Sequence, residues 1–327
     1  MLNNKWDIFK DMMKFQWKNN LRNMISVFTG LFVTIILLFT WLTFKVIVDK
    51  NDSNKNMELF LQYDPFILSS AIGISTIINC FLNMARIMHE FKIKNFFRRT
   101  FATNISKKFL IICMVAYNQM FNMIVSLLLF LFAMCYVSQR DELASVNWLI
   151  FIGGYLLLAC ICNLFGIYVA FAVKRFDMVL IVTNAFYYAS TYFLGLGIPY
   201  GSLINQNSKI MLWISYIFPQ KYPLSIMQAG WQGHFGFDNM KQQTRDEIGD
   251  IGIGYWGHNW IPFVVTALLF LFAMLLLRWI IKSKYKIERT NNYEKYARVS
   301  KESANKIYLL ERATTIEELK RIKESQG

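Results

Sequence analysis

Six uncharged, strongly apolar runs recur along the chain, separated by polar segments. A membrane helix needs ~20 consecutive apolar residues to cross a hydrocarbon layer of ~30 Å. The runs cover residues 23–44, 65–85, 109–138, 148–173, 178–198 and, slightly shorter than the others, 260–277. We therefore predict an all-α membrane protein whose six transmembrane helices form a domain over residues 23–281.

Residues 1–22 follow a different pattern. Asp7, Lys10 and Lys14 fall on a polar stripe of a helix, whereas Trp6 and Trp17 belong to its broad apolar remainder. Trp side chains sit well at headgroup depth, and lysines face anionic lipid. The segment is predicted to be an N-terminal amphipathic interfacial helix, which serves either as a simple membrane anchor or as a contact to a partner.

The basic residues are distributed unevenly between the segments that link the runs. With both termini in the cytoplasm, 27 of the 35 Lys and Arg residues lie inside, as the positive-inside rule requires. The net charge of +14 is thus explained by topology and contact with anionic membrane lipid, and not by nucleic acid. We expect a multi-pass protein of the bacterial cell membrane, since the Asn- and Lys-rich composition fits an AT-rich bacterium.

Two cytoplasmic segments are candidates for contacts. Residues 89–103 mix aromatic and basic side chains and contain no Pro or Gly, which permits a short helix along the membrane face. Either a partner binds this helix, or the segment is a solvated basic loop whose only role is to fix the membrane topology. Residues 282–327 are predicted to form a helical cytoplasmic tail, because residues 315–318 have capping-box spacing. Docking onto a subunit and plain solvation of this tail stay open.

On the outer side, Gly197 and Pro199 break the fifth predicted helix. The apolar stretch that follows is too short to span, so we expect a re-entrant helix within about residues 199–223. The polar, Gly- and Trp-rich residues from about 230 to 259 are predicted to form an external insertion.

The six runs contain no Asp, Glu, His, Lys or Arg, although proton relays and ion sites in membranes are built from such groups. We assign His89, His234 and His258 to loops. The sequence holds no nucleotide-binding P-loop, H-E-x-x-H zinc motif or nucleophile elbow, and the five cysteines are interpreted as small buried side chains. We predict no catalytic residues and no metal site, so energy for uphill transport has to come from another polypeptide.

Polar residues inside the runs recur at helical spacing. Asn79 and Asn83 share one helix face, and so do Asn118 and Asn122. Gln119, Asn163 and Asn184 occur singly. Hydrogen bonds between helices are the simpler interpretation of the pairs, and the lining of a translocation path is the functional one.

Two stretches carry a family resemblance. In residues 90–106 a Glu, a basic stretch and a bend precede the third run, and Gly197-Ile198-Pro199 is followed by residues 214–219 and by Tyr222-Pro223. Together with the amphipathic start and six runs, this layout resembles the type-2 ABC transporter permeases over roughly residues 1–285. The external insertion and the tail are longer than the family's basic pattern.

The resemblance implies a dimer of permease subunits, identical or different, above two ATP-binding cassette ATPase subunits that hold ATP and Mg²⁺. It also implies that the ATPases push on a coupling helix at about residues 89–103. The residues expected to contact the ATPase are Glu90, Phe91, Lys94, Phe97, Arg98 and Arg99. Those expected to line the path are Asn79, Asn83, Asn118 and Asn122.

The uncharged interior, rich in aromatic residues and Met, suits amphipathic or hydrophobic cargo. We favour export of a peptide toxin, an antimicrobial peptide or a lipophilic drug, with export of a lipid-linked glycan or lipid as the nearest alternative. A passive channel or scaffold subunit without an ATPase is the alternative from a different class. A membrane enzyme is disfavoured because the runs lack ionisable residues.

Overall fold

The computed structural model describes residues 2–22, 31–50, 67–94, 96, 107–194, 214–231 and 260–279. The chain forms two compact units, Met1–Leu276 and Leu277–Gly327, and only residues 277–279 of the second are described. The described helices are α1 Leu2–Arg22, α2 Val33–Lys50, α3 Ile67–Ile93, α4 Lys107–Ala133, α5 Val137–Glu142, α6 Trp148–Ala172, α7 Phe176–Phe193, α8 Lys221–Trp231 and α9 Ile261–Trp279.

Four of these helices, α3, α4, α6 and α9, are long and apolar enough to cross a membrane. The described part of the chain is therefore all-helical with several candidate spans, as predicted. The first and fifth predicted spans correspond to α2 and α7, which have 18 residues each. A total of six spans stays a prediction.

Several helix ends differ from the predicted ones. Helix α2 continues beyond residue 44 to Lys50. Helix α4 ends at Ala133, and a turn over residues 134–136 separates it from the short helix α5. Helix α7 ends at Phe193, five residues before the predicted end. Apolar length locates a helix well, whereas its ends depend on local turns that hydropathy does not report.

Helix α3 is buried over nearly its whole length and packs against α2, α4, α6 and α7. A helix that is apolar all round is expected inside a bundle. Its middle, Ile77–Asn83, is a π-helix, a rare wider turn that is frequent at functional sites. Helix α6 crosses this segment at Gly166, where an added Cβ would lie 2.7 Å from the Phe81 carbonyl oxygen.

Helices α6 and α8 run antiparallel in close contact. A Cβ added to Gly154 would collide with the backbone nitrogen of Met227, and one added to Gly230 would collide with that of Phe151. The Asn147 N–H also donates to the Gly230 carbonyl at 2.8 Å. Small residues allow two helix backbones to approach this closely.

Helix α8 was missed by the sequence analysis. The re-entrant segment was predicted to end near residue 223, and the external insertion to begin near residue 230. Residues 214–215 are helical, and most of residues 216–220 form turns. Pro223 lies in the first turn of α8, where its missing N–H removes no hydrogen bond within the helix. Gly230 and Trp231 are the last residues of α8. Residues 195–213 and 232–259 lie outside the described residues.

Helix α1 packs against α4 and carries both buried and exposed residues. Gln16 and Asn20 are buried, whereas Trp6 and Trp17 are exposed. The Lys10 ammonium lies 5.5 Å from the centre of the Trp6 ring. Helix α1 therefore has a buried and an exposed side, and its amphipathic, interfacial role stays a prediction.

The close contact of α6 and α8 predicts unequal effects of three glycine substitutions. Gly154→Ala and Gly230→Ala should each destabilise the protein by ~1–3 kcal/mol, because the new methyl group forces the helices apart. Gly153→Ala is the matched control, since a Cβ there meets nothing within 4 Å.

Thermal unfolding in detergent, followed with a thiol-reactive dye, measures this difference. The buried thiols of Cys80, Cys113 and Cys162 become reactive on unfolding. Equal melting temperatures for Gly153→Ala and Gly154→Ala would contradict the packing of α6 on α8.

Candidate functional site: a buried asparagine cluster and the Glu90 end of helix α3

Five asparagines from three helices meet inside the bundle. Helix α3 contributes two, α4 two and α6 one, and each is at most 4% exposed. We call this group the asparagine cluster: Asn79, Asn83, Asn118, Asn122 and Asn163.

Within the cluster, the Asn79 side chain is hydrogen-bonded to two other members. Its Nδ2 donates to Asn122 Oδ1 at 3.3 Å and to Ser75 Oγ at 3.2 Å. Its Oδ1 accepts from Asn83 Nδ2 at 3.3 Å. The two α3 asparagines predicted to share a face therefore hydrogen-bond each other, and Asn79 also reaches α4.

Asn118 connects all three helices. Its Nδ2 donates to Asn163 Oδ1 on α6 at 2.7 Å and to the Asn79 carbonyl oxygen at 3.0 Å. That carbonyl belongs to the π-helical segment of α3. Asn163 Nδ2 in turn donates to Gln119 Oε1 at 3.3 Å and to the Ala159 carbonyl at 2.9 Å.

Asn122 extends the network to residues that the sequence analysis did not single out. Its Nδ2 donates to Tyr155 OH at 2.8 Å and to Thr76 Oγ1 at 3.2 Å, and Ser126 Oγ donates to the same tyrosine at 3.3 Å. Tyr155 lies eight residues before Asn163, so both occupy one face of α6. This spacing could have revealed Tyr155.

The cluster joins uncharged donors and acceptors. An amide offers two donor hydrogens and an acceptor oxygen, so several amides can satisfy one another without a charge. Two buried atoms, Asn83 Oδ1 and Gln119 Nε2, have no hydrogen-bond partner among the described residues. In that part of the chain there is also no group of three His, Cys, Asp or Glu residues able to hold a metal ion. Whether the cluster lines a translocation path stays a prediction.

The predicted coupling segment begins within α3, which continues to Ile93. Glu90 lies between Arg86 and Lys94, at 3.6 Å from Arg86 Nε and 3.5 Å from Lys94 Nζ. The Lys94 side chain is 68% exposed. Phe91 is buried instead, with its ring 6.0 Å from that of Phe15 on α1. Three further predicted contacts lie outside the described residues: Phe97, Arg98 and Arg99.

His89 and Lys92 hold the end of helix α6. His89 Nδ1 lies 2.9 Å from the Ala170 carbonyl oxygen, and Lys92 Nζ donates to the carbonyls of Ala170 and Val173 at 3.1 and 2.8 Å. A cation at a helix C-terminus bonds the last carbonyls and complements the helix dipole. The assignment of His89 to a loop was wrong, because this side chain is fully buried in α3.

The hydrogen bonds of Asn118 predict a coupled loss of stability. Asn118→Leu should destabilise the protein by ~1 kcal/mol, because Asn163 Oδ1 and the Asn79 carbonyl lose a donor. Asn184→Leu is the control, since the Asn184 amide donates within its own helix to Leu180 at 2.9 Å.

A double-mutant cycle by thermal unfolding tests the contact with Asn163. Asn118→Leu and Asn163→Leu together should cost less than the sum of the single changes, because the two residues share one bond. Additive losses would show that the two amides do not interact.

The contacts of Lys92 predict faster hydrogen exchange at the end of α6. Lys92→Met should speed exchange of the amides in residues 171–173 by roughly 5- to 30-fold, the equivalent of ~1–2 kcal/mol at a helix end. Lys94→Met, which removes an exposed ion pair of little energy, should leave these amides unchanged. Equal exchange in both variants would refute the capping role of Lys92.

A comparison with curated proteins finds no significant match for this sequence. The model of one protein family, described as ABC-2 type transporter, matches residues 8–230. The matched range extends from α1 almost to the end of α8 and includes both the asparagine cluster and the Glu90 end of α3. Because the match spans well over half of the chain, the protein belongs to the ABC-2 type transporter family and is a multi-pass membrane component of an ABC transporter.

Proposed function

We propose that this chain is the permease subunit of an ATP-driven exporter, which moves amphipathic or hydrophobic cargo out of a bacterial cell. Permeases of this family normally work with a separate ATPase subunit, and the sequence carries no P-loop of its own. ATP and Mg²⁺ would then be bound by that subunit, and both termini of the permease would lie on its side of the membrane.

The observation that carries the proposal is the arrangement at the Glu90 end of α3. One helix of 27 residues joins this end to the asparagine cluster. At the same end, His89 and Lys92 fasten α3 to the last turn of α6. A displacement of the Glu90 end would therefore move α3 and α6 together. Helix α8 would follow, since it packs closely on α6.

The positions of the predicted contact residues suggest a division of roles. Ile93 and Lys94 are exposed and would meet the ATPase, together with Phe97, Arg98 and Arg99. Glu90 would position Lys94 through their ion pair. Phe91 would brace the segment against α1, because its ring contacts Phe15 and lies 4.7 Å from that of Phe96.

The outer face of α4 supports a membrane or permease contact. Its apolar side chains are exposed in the single chain, although they would be costly to leave in water. In a membrane they would face lipid or the second permease of a dimer. They include Met120, Met123, Ile124, Leu127 and Leu128.

A pull-down from native membranes tests the exporter proposal. The wild-type chain should bring down an ATP-hydrolysing subunit. Phe97→Ala/Arg98→Glu should reduce its recovery about tenfold or more, because reversing a charge at an interface costs several kcal/mol. Arg140→Glu is the matched control, since Arg140 is exposed on α5, beyond the other end of α4.

Two results would count against the proposal in different ways. If the wild type brings down no ATP-hydrolysing subunit, the exporter function fails and a channel or scaffold role takes its place. If the subunit is recovered equally with the double variant, the ATPase contact lies outside the predicted coupling segment.

A further inference from the structure

Helix α8 carries a buried polar stripe, defined as Lys221, Ser225 and Gln228. These residues are spaced at i, i+4 and i+7, so they share one side of the helix. They are 2%, 1% and 1% exposed. Lys221 lies outside the six predicted runs, and its burial inside the bundle was not predicted.

The polar stripe lies on the side of α8 that faces away from α6. Gly230, which packs on Phe151 of α6, follows Lys221 by nine residues. At 3.6 residues per turn this separation is two and a half turns, so the two residues lie half a turn apart around the axis. The stripe is therefore not part of the α6 contact.

The antiparallel contact also gives the depth of Lys221. Met227 lies level with Gly154, which is six residues from the start of α6. Lys221 lies six residues beyond Met227, so at 1.5 Å per residue it is ~18 Å from the level of Trp148. The 25 residues of α6 extend over ~36 Å, so Lys221 lies level with the middle of this helix. We call this position half depth.

Two glutamines close to Lys221 in the sequence have side-chain groups that make no hydrogen bond among the described residues. Gln220 is the N-cap of α8, since its carbonyl accepts the Leu224 N–H at 3.1 Å, and its side chain is fully buried. Neither amide atom of Gln220, nor Nε2 of Gln228, has a hydrogen-bond partner among the described residues. Buried polar atoms of this kind call for a ligand or a conformational role.

We infer that the polar stripe and Gln220 form a binding site for the anionic headgroup, a phosphate or carboxylate, of a lipophilic molecule. The ammonium of Lys221 and the amide N–H groups of Gln220 and Gln228 are the donors of this site, whereas the Ser225 hydroxyl donates to the Lys221 carbonyl at 2.8 Å within the helix. The N-terminus of α8 adds positive polarity at the same point. An anion with an apolar tail matches both these donors and the apolar bundle.

Because Lys221 lies at half depth, it supports a binding site more strongly than a lysine at the membrane surface would. An ionisable side chain near the middle of a membrane is costly and is generally retained for function. The site is closed in this conformation, so binding requires α8 to separate from the residues that cover its stripe. The inference deepens the proposed export of amphipathic cargo, because it names the charge that the cargo headgroup carries.

The test measures binding to the purified full-length chain in neutral maltoside detergent, without an ATPase. Dodecyl phosphate, dodecyltrimethylammonium and inorganic phosphate are the probes, and the shift in melting temperature is the measurement. Dodecyl phosphate should stabilise the wild type, and the other two probes should not. Lys221→Met should weaken dodecyl phosphate binding about tenfold, since a charge-assisted hydrogen bond is lost.

Three variants separate binding from folding. Lys221→Arg should retain the response to dodecyl phosphate, and Gln228→Leu should reduce it while keeping the lysine. Lys174→Met is the control, since Lys174 is exposed in the turn between α6 and α7. The site is refuted if Lys221→Met and Gln228→Leu both respond like wild type. It is also refuted if the alkylammonium, or phosphate without a tail, stabilises the wild type equally.

Membrane lipid and separate cargo are two sources of the same headgroup chemistry. Repeating the titration in phosphatidylcholine nanodiscs, with and without phosphatidylglycerol, distinguishes them. Competition by phosphatidylglycerol assigns the site to a membrane lipid, and undiminished dodecyl phosphate binding assigns it to other cargo. Because no ATPase is involved, a failed pull-down leaves this result intact, and a failed titration leaves the exporter proposal intact.

Discussion

Polar groups inside an apolar membrane core must find hydrogen-bond partners within the protein, because lipid offers none. The asparagine cluster is built on this constraint. Asn118 on α4 bonds to both α3 and α6, and the other asparagines extend the network without a charge. A one-residue slip of any of these helices would break several bonds at once. The register of α3, α4 and α6 therefore follows from the cluster.

Small residues then determine how near the helices come to one another. Lipid tails are as apolar as Leu side chains, so helix association in a membrane rests on packing and hydrogen bonds. Gly166 brings α6 against the π-helical segment of α3, and Gly154 brings α8 against the other half of α6. Helix α6 thus takes part in the asparagine cluster through Asn163 and contacts α8 nearer to its N-terminal end.

Those parts of the fold that depend on a single segment could be predicted from the sequence. The length of an apolar run gives a helix, and the spacing of Asn79 and Asn83 gives a shared face. His89 could not be placed in this way, because its burial depends on Ala170, 81 residues later. The burial of Lys221 was not predicted, because charge counting treats every lysine between two spans as a loop residue. Helix α8 was missed because a proline such as Pro223 can either follow a helix or lie in its first turn.

Helix α6 contacts both the Glu90 end of α3, where the ATPase is proposed to act, and α8, which carries the inferred headgroup site. His89 and Lys92 cap one end of α6, and α8 packs along the half that begins at Trp148.

Coupling between distant sites needs an element with two discrete arrangements that both sites influence. The asparagine cluster makes α3, α4 and α6 poor candidates, because separating them would leave buried amides without partners. Helix α8 has 11 residues, begins near the level of the middle of α6 and contributes no asparagine to the cluster, so it can shift without breaking the cluster. Binding of an anionic headgroup to the polar stripe of α8 would favour the shifted position, since the headgroup binds only when those donors are uncovered.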